Sequence, residues 1–241
     1  MKIKLLIEAN NEVIKLNEKI INGDCIEEMK KMPDNSVDLI VTDPPYKVSQ
    51  RYGAGVDADN LIAVSSIYHS LQEMSRILKP GKFCVVFYDN RILPVLFQAI
   101  RGTELVYRKQ IFLYRRWGNA NRWVGWMQCT DPICIFVNGS DKPFAPKIKG
   151  KVKHDCFIKA SPEAETTGHP AQKPMELIKD IITWCSDEND IVLDPYAGSG
   201  VTILAAKQLN RGFIGIEYQE KYYNMIKERL EKNKNIEQKT L

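Results

Sequence analysis

No apolar run in this 241-residue chain is long enough to span a bilayer. The opening MKIKLLIEANNEV has a short apolar patch broken by Glu8 and Asn10, without the apolar core and small-residue cleavage site of a secretory signal. A cytoplasmic protein with no membrane partner is expected. No C-x-x-C pair occurs among the cysteines at 25, 84, 129, 134, 156 and 185, several of which sit in strand-like apolar runs. They read as reduced and mostly structural. The spacing of Cys129, Cys134, His154 and Cys156 does not fit a usual zinc pattern, so no metal is expected. There is no internal repeat. The G-x-G-x-x-G fingerprint of a dinucleotide fold is also missing, which disfavours NAD.

Acidic residues are scarce in one region. From 101 to 160 there are twelve Lys or Arg against four Asp or Glu, a local balance of +8 that leaves −4 for the rest of a chain whose total is +4. A basic block in a mildly acidic protein suits a polyanion partner, although a solvated basic surface has the same composition. Within it, YRRWGNANRWVGWMQ interleaves Arg115, Arg116 and Arg122 with Trp117, Trp123 and Trp126. Arginine suits phosphates and base edges, and tryptophan suits an unpaired base. Packing under the sheet is at least as good an account of any single Trp. DKPFAPKIKGKVKHD adds five lysines, among them Lys147, Lys149, Lys151 and Lys153.

Elsewhere, apolar β-branched runs alternate with helical patterns. Strands are expected at 19–22, 37–42, 83–88, 105–113, 133–137, 191–193 and 213–216, and helices at 26–31, 61–78, 92–100, 175–185, 201–208 and 221–231. Such alternation predicts an α/β fold with a mostly parallel sheet. VSQRYGAGVDADN and the Lys- and Pro-rich stretch from about 138 to 168 interrupt it and read as loops, the longer one functional or disordered.

Two strand ends carry the chemistry. LIVTDPPYKV ends an apolar run in Asp43-Pro44-Pro45-Tyr46, where consecutive prolines stop any ladder and hold the backbone rigid. IVLDPYAGSGVTILAA runs from a strand through Asp194 and the turn Gly198-Ser199-Gly200 into a helix, an arrangement that lets backbone approach a nucleotide-like ligand. RGFIGIEYQ then ends in Glu217, about twenty residues on, where an acidic side chain suits ribose hydroxyls. Taken singly, the first motif is also a strand end closed by an Asx-Pro turn, and the second a tight strand-to-helix connection.

In the order DPPY, HPAQKP (169–174), LDPYAGSG and GIE, these motifs resemble the amino-methylating DNA methyltransferases of the β group. INGDCIEEMKKMPDNSVDLIVTDPPY looks like that family's opening, and RILKPGK matches its helix-ending segment, with Lys82 where a second glycine is common. The resemblance spans nearly all of residues 18–230. It implies a circularly permuted, Rossmann-like S-adenosylmethionine (SAM) methyltransferase fold, with a seven-stranded, mostly parallel sheet and helices on both faces. It also implies SAM as cofactor and double-stranded DNA as partner, and raises a homodimer and a cognate restriction endonuclease as further partners. Residues 1–17 are then an N-terminal extension, 18–138 a catalytic half, 139–168 a target-recognition segment, and 169–241 the SAM-binding half of the same domain.

By the same resemblance, Asp43, Pro44, Pro45 and Tyr46 act on a flipped-out base, Asp43 also bordering the cofactor. Asp24 and the Cys25 backbone meet the cofactor's adenine. Lys173 secures the methionine carboxylate end, with His169 and Gln172 shaping that lobe, although His169 also reads as a helix-entry residue without ligand contact. Asp194, Tyr196, Gly198 and Gly200 form the turn beneath it, and Glu217 takes the ribose. DNA contacts fall to Arg115, Arg116, Arg122, Trp123 and the four lysines. Asp at the first motif position is associated with adenine N6, Ser with cytosine N4. A catalytically silent DNA-binding subunit is the reading of another class, against which the intact Asp43, Glu217 and glycine turn argue. RNA and protein amine methyltransferases of related type usually begin this motif with Asn.

Overall fold

The computed structural model describes residues 18–45, 58–120, 127–139, 154–158 and 172–239. Its strands are β1 (Glu18–Asn22), β2 (Val37–Thr42), β3 (Leu78–Phe87), β4 (Leu105–Ala120), β5 (Met127–Asn138), β6 (Cys156–Ile158), β7 (Ile191–Asp194) and β8 (Gly212–Glu217). Its helices are α1 (Cys25–Lys30), α2 (Ala58–Ile77), α3 (Leu93–Ala99), α4 (Met175–Cys185), α5 (Val201–Gln208) and α6 (Glu220–Lys239). None of the described helices is long and apolar enough to cross a membrane.

One sheet runs β1-β8-β7-β2-β3-β5-β4-β6. The first five strands are parallel neighbours, β5 is antiparallel to both β3 and β4, and β6 lies parallel to β4 at the edge. Where seven strands were expected there are eight. The addition is β6, three residues from the stretch read as loop, whose Cys156, Phe157 and Ile158 pair with Phe112, Leu113 and Tyr114. Three residues are too few for a periodic signal. The β4–β5 pair is also longer than its apolar pattern, reaching Asn119↔Gln128 and Ala120↔Met127 after an irregularity. Ladder hydrogen bonds between backbones continue through polar residues, so hydropathy undercounts such strands. Part of the basic-aromatic block, with Arg115 and Arg116, is thereby strand.

From Leu39 to Val41 the side chains of β2 alternate between two cores. Leu39 and Val41 join Leu177, Ile178, Ile181 and Ile182 of α4 on one face, while Ile40 joins Ile67, Leu71 and Met74 of α2 on the other. All six β2 residues are buried. Strands covered on both faces read as nearly continuous apolar runs, as this one does.

Asp38 is the charged exception in β2, only 6% exposed. Its carboxylate accepts from Lys79 Nζ at 2.8 Å and from the Ile191 N–H at 3.1 Å. Lys82 Nζ lies 3.6 Å from Asp38 and 2.7 Å from Asp190. Lys82 thus helps tie the starts of β2, β3 and β7, and a buried carboxylate paired this way avoids the cost of an isolated charge.

The turn after β7 is shaped by close packing. Gly200 has φ of +77°, and a Cβ there would meet Ile226 of α6 at 2.8 Å. Ile226 is fully buried and cannot swing aside. Gly200→Ala is therefore expected to cost about 2–4 kcal/mol through left-handed backbone strain and overpacking. Urea unfolding measures this; an unchanged midpoint would mean that α6 yields freely.

Candidate active site at the switch point of the sheet

Strand order reverses between β7 and β2. From β7 the parallel set continues to β8 and β1, and from β2 it continues to β3. Connections leaving the carboxyl ends of β7 and β2 diverge, and a crevice opens between them. Here it is a cleft of about 680 Å³, within the range of small-molecule sites, about 300–1,000 Å³.

The structure brings most of the expected residues to this cleft. Asp43, Pro44 and Pro45 line it from the end of β2, Asp24 and Cys25 from the end of β1, and Gln172 and Lys173 from the segment before α4. Asp194, Tyr196 and Gly198 line it from the turn after β7, and Glu217 from the end of β8. Gly200 acts from behind, as the left-handed N-cap of α5. Tyr46, Arg122, Trp123, Lys147, Lys149, Lys151, Lys153 and His169 lie outside the described residues, as do the side chains of Arg115 and Arg116.

Several of these side chains have structural partners that their motifs do not announce. Asp24 caps α1, its Oδ1 accepting from the N–H groups of Ile26 and Glu27 at 3.0 and 3.1 Å. Glu217 accepts from the Gly198 N–H on Oε2 and from the Gln219 N–H on Oε1, each at 2.8 Å. It therefore ties the glycine turn to the end of β8. A carboxylate has about four acceptor positions, so this leaves capacity for hydroxyl donors. Cys25 is buried, and desolvation pushes its thiol up to about 11, which makes it an inert thiol.

Asp194 is 4% exposed. Its Oδ1 accepts from the Thr42 hydroxyl at 3.0 Å and the Tyr196 N–H at 3.1 Å. Burial pushes its carboxyl up to about 7, with Asp43 adding to the rise and hydrogen bonds from Thr202, the Tyr196 backbone and Thr42 opposing it. The Thr42 bond joins the ends of the two strands that flank the crevice. The Tyr196 hydroxyl reaches Ser66 Oγ at 3.2 Å and so connects the glycine turn to α2.

Lys173 Nζ donates to Asp43 Oδ2 at 2.5 Å, joining the third motif to the first. The ammonium also sits 5.2 Å from the centre of the Phe87 ring. Arg229 of α6 donates to Gln172 Oε1 at 3.1 Å and to the Ser199 carbonyl at 2.5 Å. Reading by motif missed Arg229, Thr42 and Phe87. Thr42 adjoins Asp43 and was within reach of inspection, whereas nothing local marks the other two.

Six carboxylates, of Asp24, Asp43, Asp89, Asp131, Asp194 and Glu217, line the cleft, and Lys173 is the one Lys or Arg among the described lining residues. Such a site favours a ligand with positive charge and repels phosphate. SAM, with a sulfonium, an ammonium, ribose hydroxyls and one carboxylate, fits this donor and acceptor set.

A family model described as DNA methylase, of the N6/N4 class, matches residues 37–228. The chain is similar to the DNA adenine methyltransferase YhdJ of Escherichia coli (strain K12), with 29% identity over 88% of this chain and 82% of that one. Its fold superposes on the M1.HpyAVI–SAM complex with a TM-score of 0.69 at 27% identity, over 88% and 98% of the two chains. It superposes on the cytosine-N4-specific PvuII DNA methyltransferase with a TM-score of 0.72 at 19% identity, over 87% and 84%.

The buried Asp194 makes stability depend on pH in a defined direction. Its native pKa lies above the ordinary 3.8, at about 7. The native state therefore binds the proton more tightly than the unfolded chain, and that contribution is complete below the unfolded pKa and lost as pH rises through about 7. Wild type should lose stability relative to Asp194→Asn between pH 4.5 and 7.5. Urea midpoints of both proteins across this range measure the trend; a constant difference would mean that Asp194 stays ionised in the native protein throughout.

Proposed function

The chain belongs to the N6/N4 family of DNA methylases, and from that premise we propose that it transfers the methyl group of SAM to N6 of an adenine flipped out of double-stranded DNA. The observation that carries this reading is the junction at the switch point, where Asp43-Pro44-Pro45 and the glycine turn after β7 open into one acidic cleft.

An exocyclic amine is a poor nucleophile because its lone pair is delocalised into the ring. Asp43 accepts one N–H of the amine and the Pro44 carbonyl accepts the other. Two fixed acceptors favour a tetrahedral nitrogen with its lone pair directed away from the ring. Pro44 and Pro45 restrict the backbone, so the Pro44 carbonyl and the root of the Asp43 side chain keep their places. Bound in the cleft, SAM would supply an electrophilic methyl carbon with a thioether as its leaving group, so that sulfur would keep the pair of the broken bond. The nitrogen becomes acidic on gaining the methyl, and its proton leaves late, through Asp43 to solvent. Asp43 serves chiefly as an acceptor. Glu217 would hold the ribose hydroxyls, Asp24 and the Cys25 backbone the adenine of the cofactor, and Lys173 its carboxylate. Tyr46 stacks on the flipped base.

An acidic cleft repels phosphates, and in this reading the basic block of the sequence supplies the phosphate contacts. Replacing Lys147, Lys149, Lys151 and Lys153 with Ala should weaken DNA binding and flatten its salt dependence, each lost phosphate contact lowering the slope of log affinity against log salt by about 0.9. An unchanged slope would move the DNA to another surface.

Adenine is favoured over cytosine by the Asp-Pro-Pro-Tyr motif and by the named activity of YhdJ. Fold likeness to a cytosine-N4 enzyme keeps the alternative product in view. Asp43→Ala should lower methyl transfer by about 100-fold or more, the scale of losing one aimed transition-state contact, while SAM still binds. Mass spectrometry of nucleosides from methylated DNA should show N6-methyladenine. Methyl label on cytosine N4 alone would reverse the choice of base, and near-normal turnover by the Ala variant would remove the mechanism.

A further inference from the structure

We infer that Lys173 is a positioning residue for methyl transfer: by gripping Asp43 Oδ2 from across the switch point, it sets the direction in which that carboxylate meets the target amine. The inference rests on the proposed role of Asp43 and goes beyond it, since Lys173 was assigned above to the cofactor's carboxylate alone.

The terminal torsion of an aspartate is broad and nearly two-fold, so an untethered Asp43 would sample many orientations. Prolines 44 and 45 restrain its backbone, not that torsion. The bond from Nζ to Oδ2 at 2.5 Å restrains that torsion. It is charge-assisted and partly desolvated, the side chains being 8% exposed for Lys173 and 27% for Asp43.

The grip is itself anchored. An ammonium this buried needs a counter-charge, and in a cleft with six carboxylates it has taken Asp43. Phe87, 1% exposed at the end of β3, holds the ammonium against its ring. On one side of Lys173, Gln172 is held by Arg229, which also holds the Ser199 carbonyl of the glycine turn. On the other side, Pro174 starts α4 with φ of −60°. The base of the lysine therefore moves with α6 and the glycine turn, and its tip aims the residue after β2. With three donors, the ammonium can serve Asp43 and a ligand carboxylate together. Cofactor half and catalytic half thus share one cation, and small errors in aim weigh heavily on rate.

The test is a double-mutant cycle read by single-turnover methylation at saturating SAM and DNA, with SAM affinity measured separately by calorimetry. Lys173→Met should slow the saturated rate at least tenfold, by more than it weakens SAM binding. Lys173→Arg should recover a substantial part of that loss. In an Asp43→Asn background, Lys173→Met should cost less than twofold, because the aim it controls is already lost. Lys173→Gln replaces the Met variant if that protein folds poorly. A saturated rate within twofold of wild type, or the same factor lost in both backgrounds, overturns the inference and leaves Lys173 as a cofactor ligand. Full activity of Asp43→Asn alone is a different failure, and it would remove the mechanism on which the inference stands.

Discussion

Burial of β2 on both faces is the constraint from which the rest follows. Its six residues lie between β7 and β3 with core on either side, so the chain can do nothing chemical until it leaves the strand. It leaves where the connections that follow β7 and β2 part, and two prolines prevent the ladder from continuing. Asp43 is thereby delivered to the mouth of a crevice with a rigid backbone behind it. The same reversal of strand order brings residues 130 positions apart, Asp43 and Lys173, into contact.

Charge is divided between the two ends of the parallel strands. At their amino ends, Asp38 and Asp190 are matched by Lys79 and Lys82, and the ion pairs join β2, β3 and β7. At their carboxyl ends, acids outnumber bases in the cleft. A pole neutralised by its own lysines can serve stability. The other pole carries surplus carboxylates, and there burial pushes the Asp194 carboxyl up, with Asp43 adding to the rise. In the proposed function, a cationic cofactor relieves that surplus while a neutral base enters beside it, and phosphates stay with the basic block.

Much of the fold was legible from residues alone because its signals are local. All seven expected strands exist, and α4 and α5 span 175–185 and 201–208 as expected. β6 and the far ends of β4 and β5 were not legible, since they depend on pairing across the sheet rather than on their own hydropathy. At the site, motif order placed Asp43, Asp194, Glu217 and Lys173 together, and the cleft contains all four. Their partners were not foreseeable. Arg229 has no motif, and the capping bond of Asp24 competes for the same carboxylate that the resemblance assigns to a ligand.

By itself, the sequence determined what short spans of chain can determine: alternating strands and helices, two prolines that end a strand, a glycine turn, and a basic block poor in acids. These follow from backbone sterics, side-chain period and composition, which act over a few residues. Tertiary structure alone decided which carboxylate receives the buried ammonium, that Glu217 braces the glycine turn, and that Lys82 joins three strands. Each is a contact between residues far apart in the chain. Only the strand order sets such distances, and hydrogen bonds and ion pairs fall away within a few ångströms.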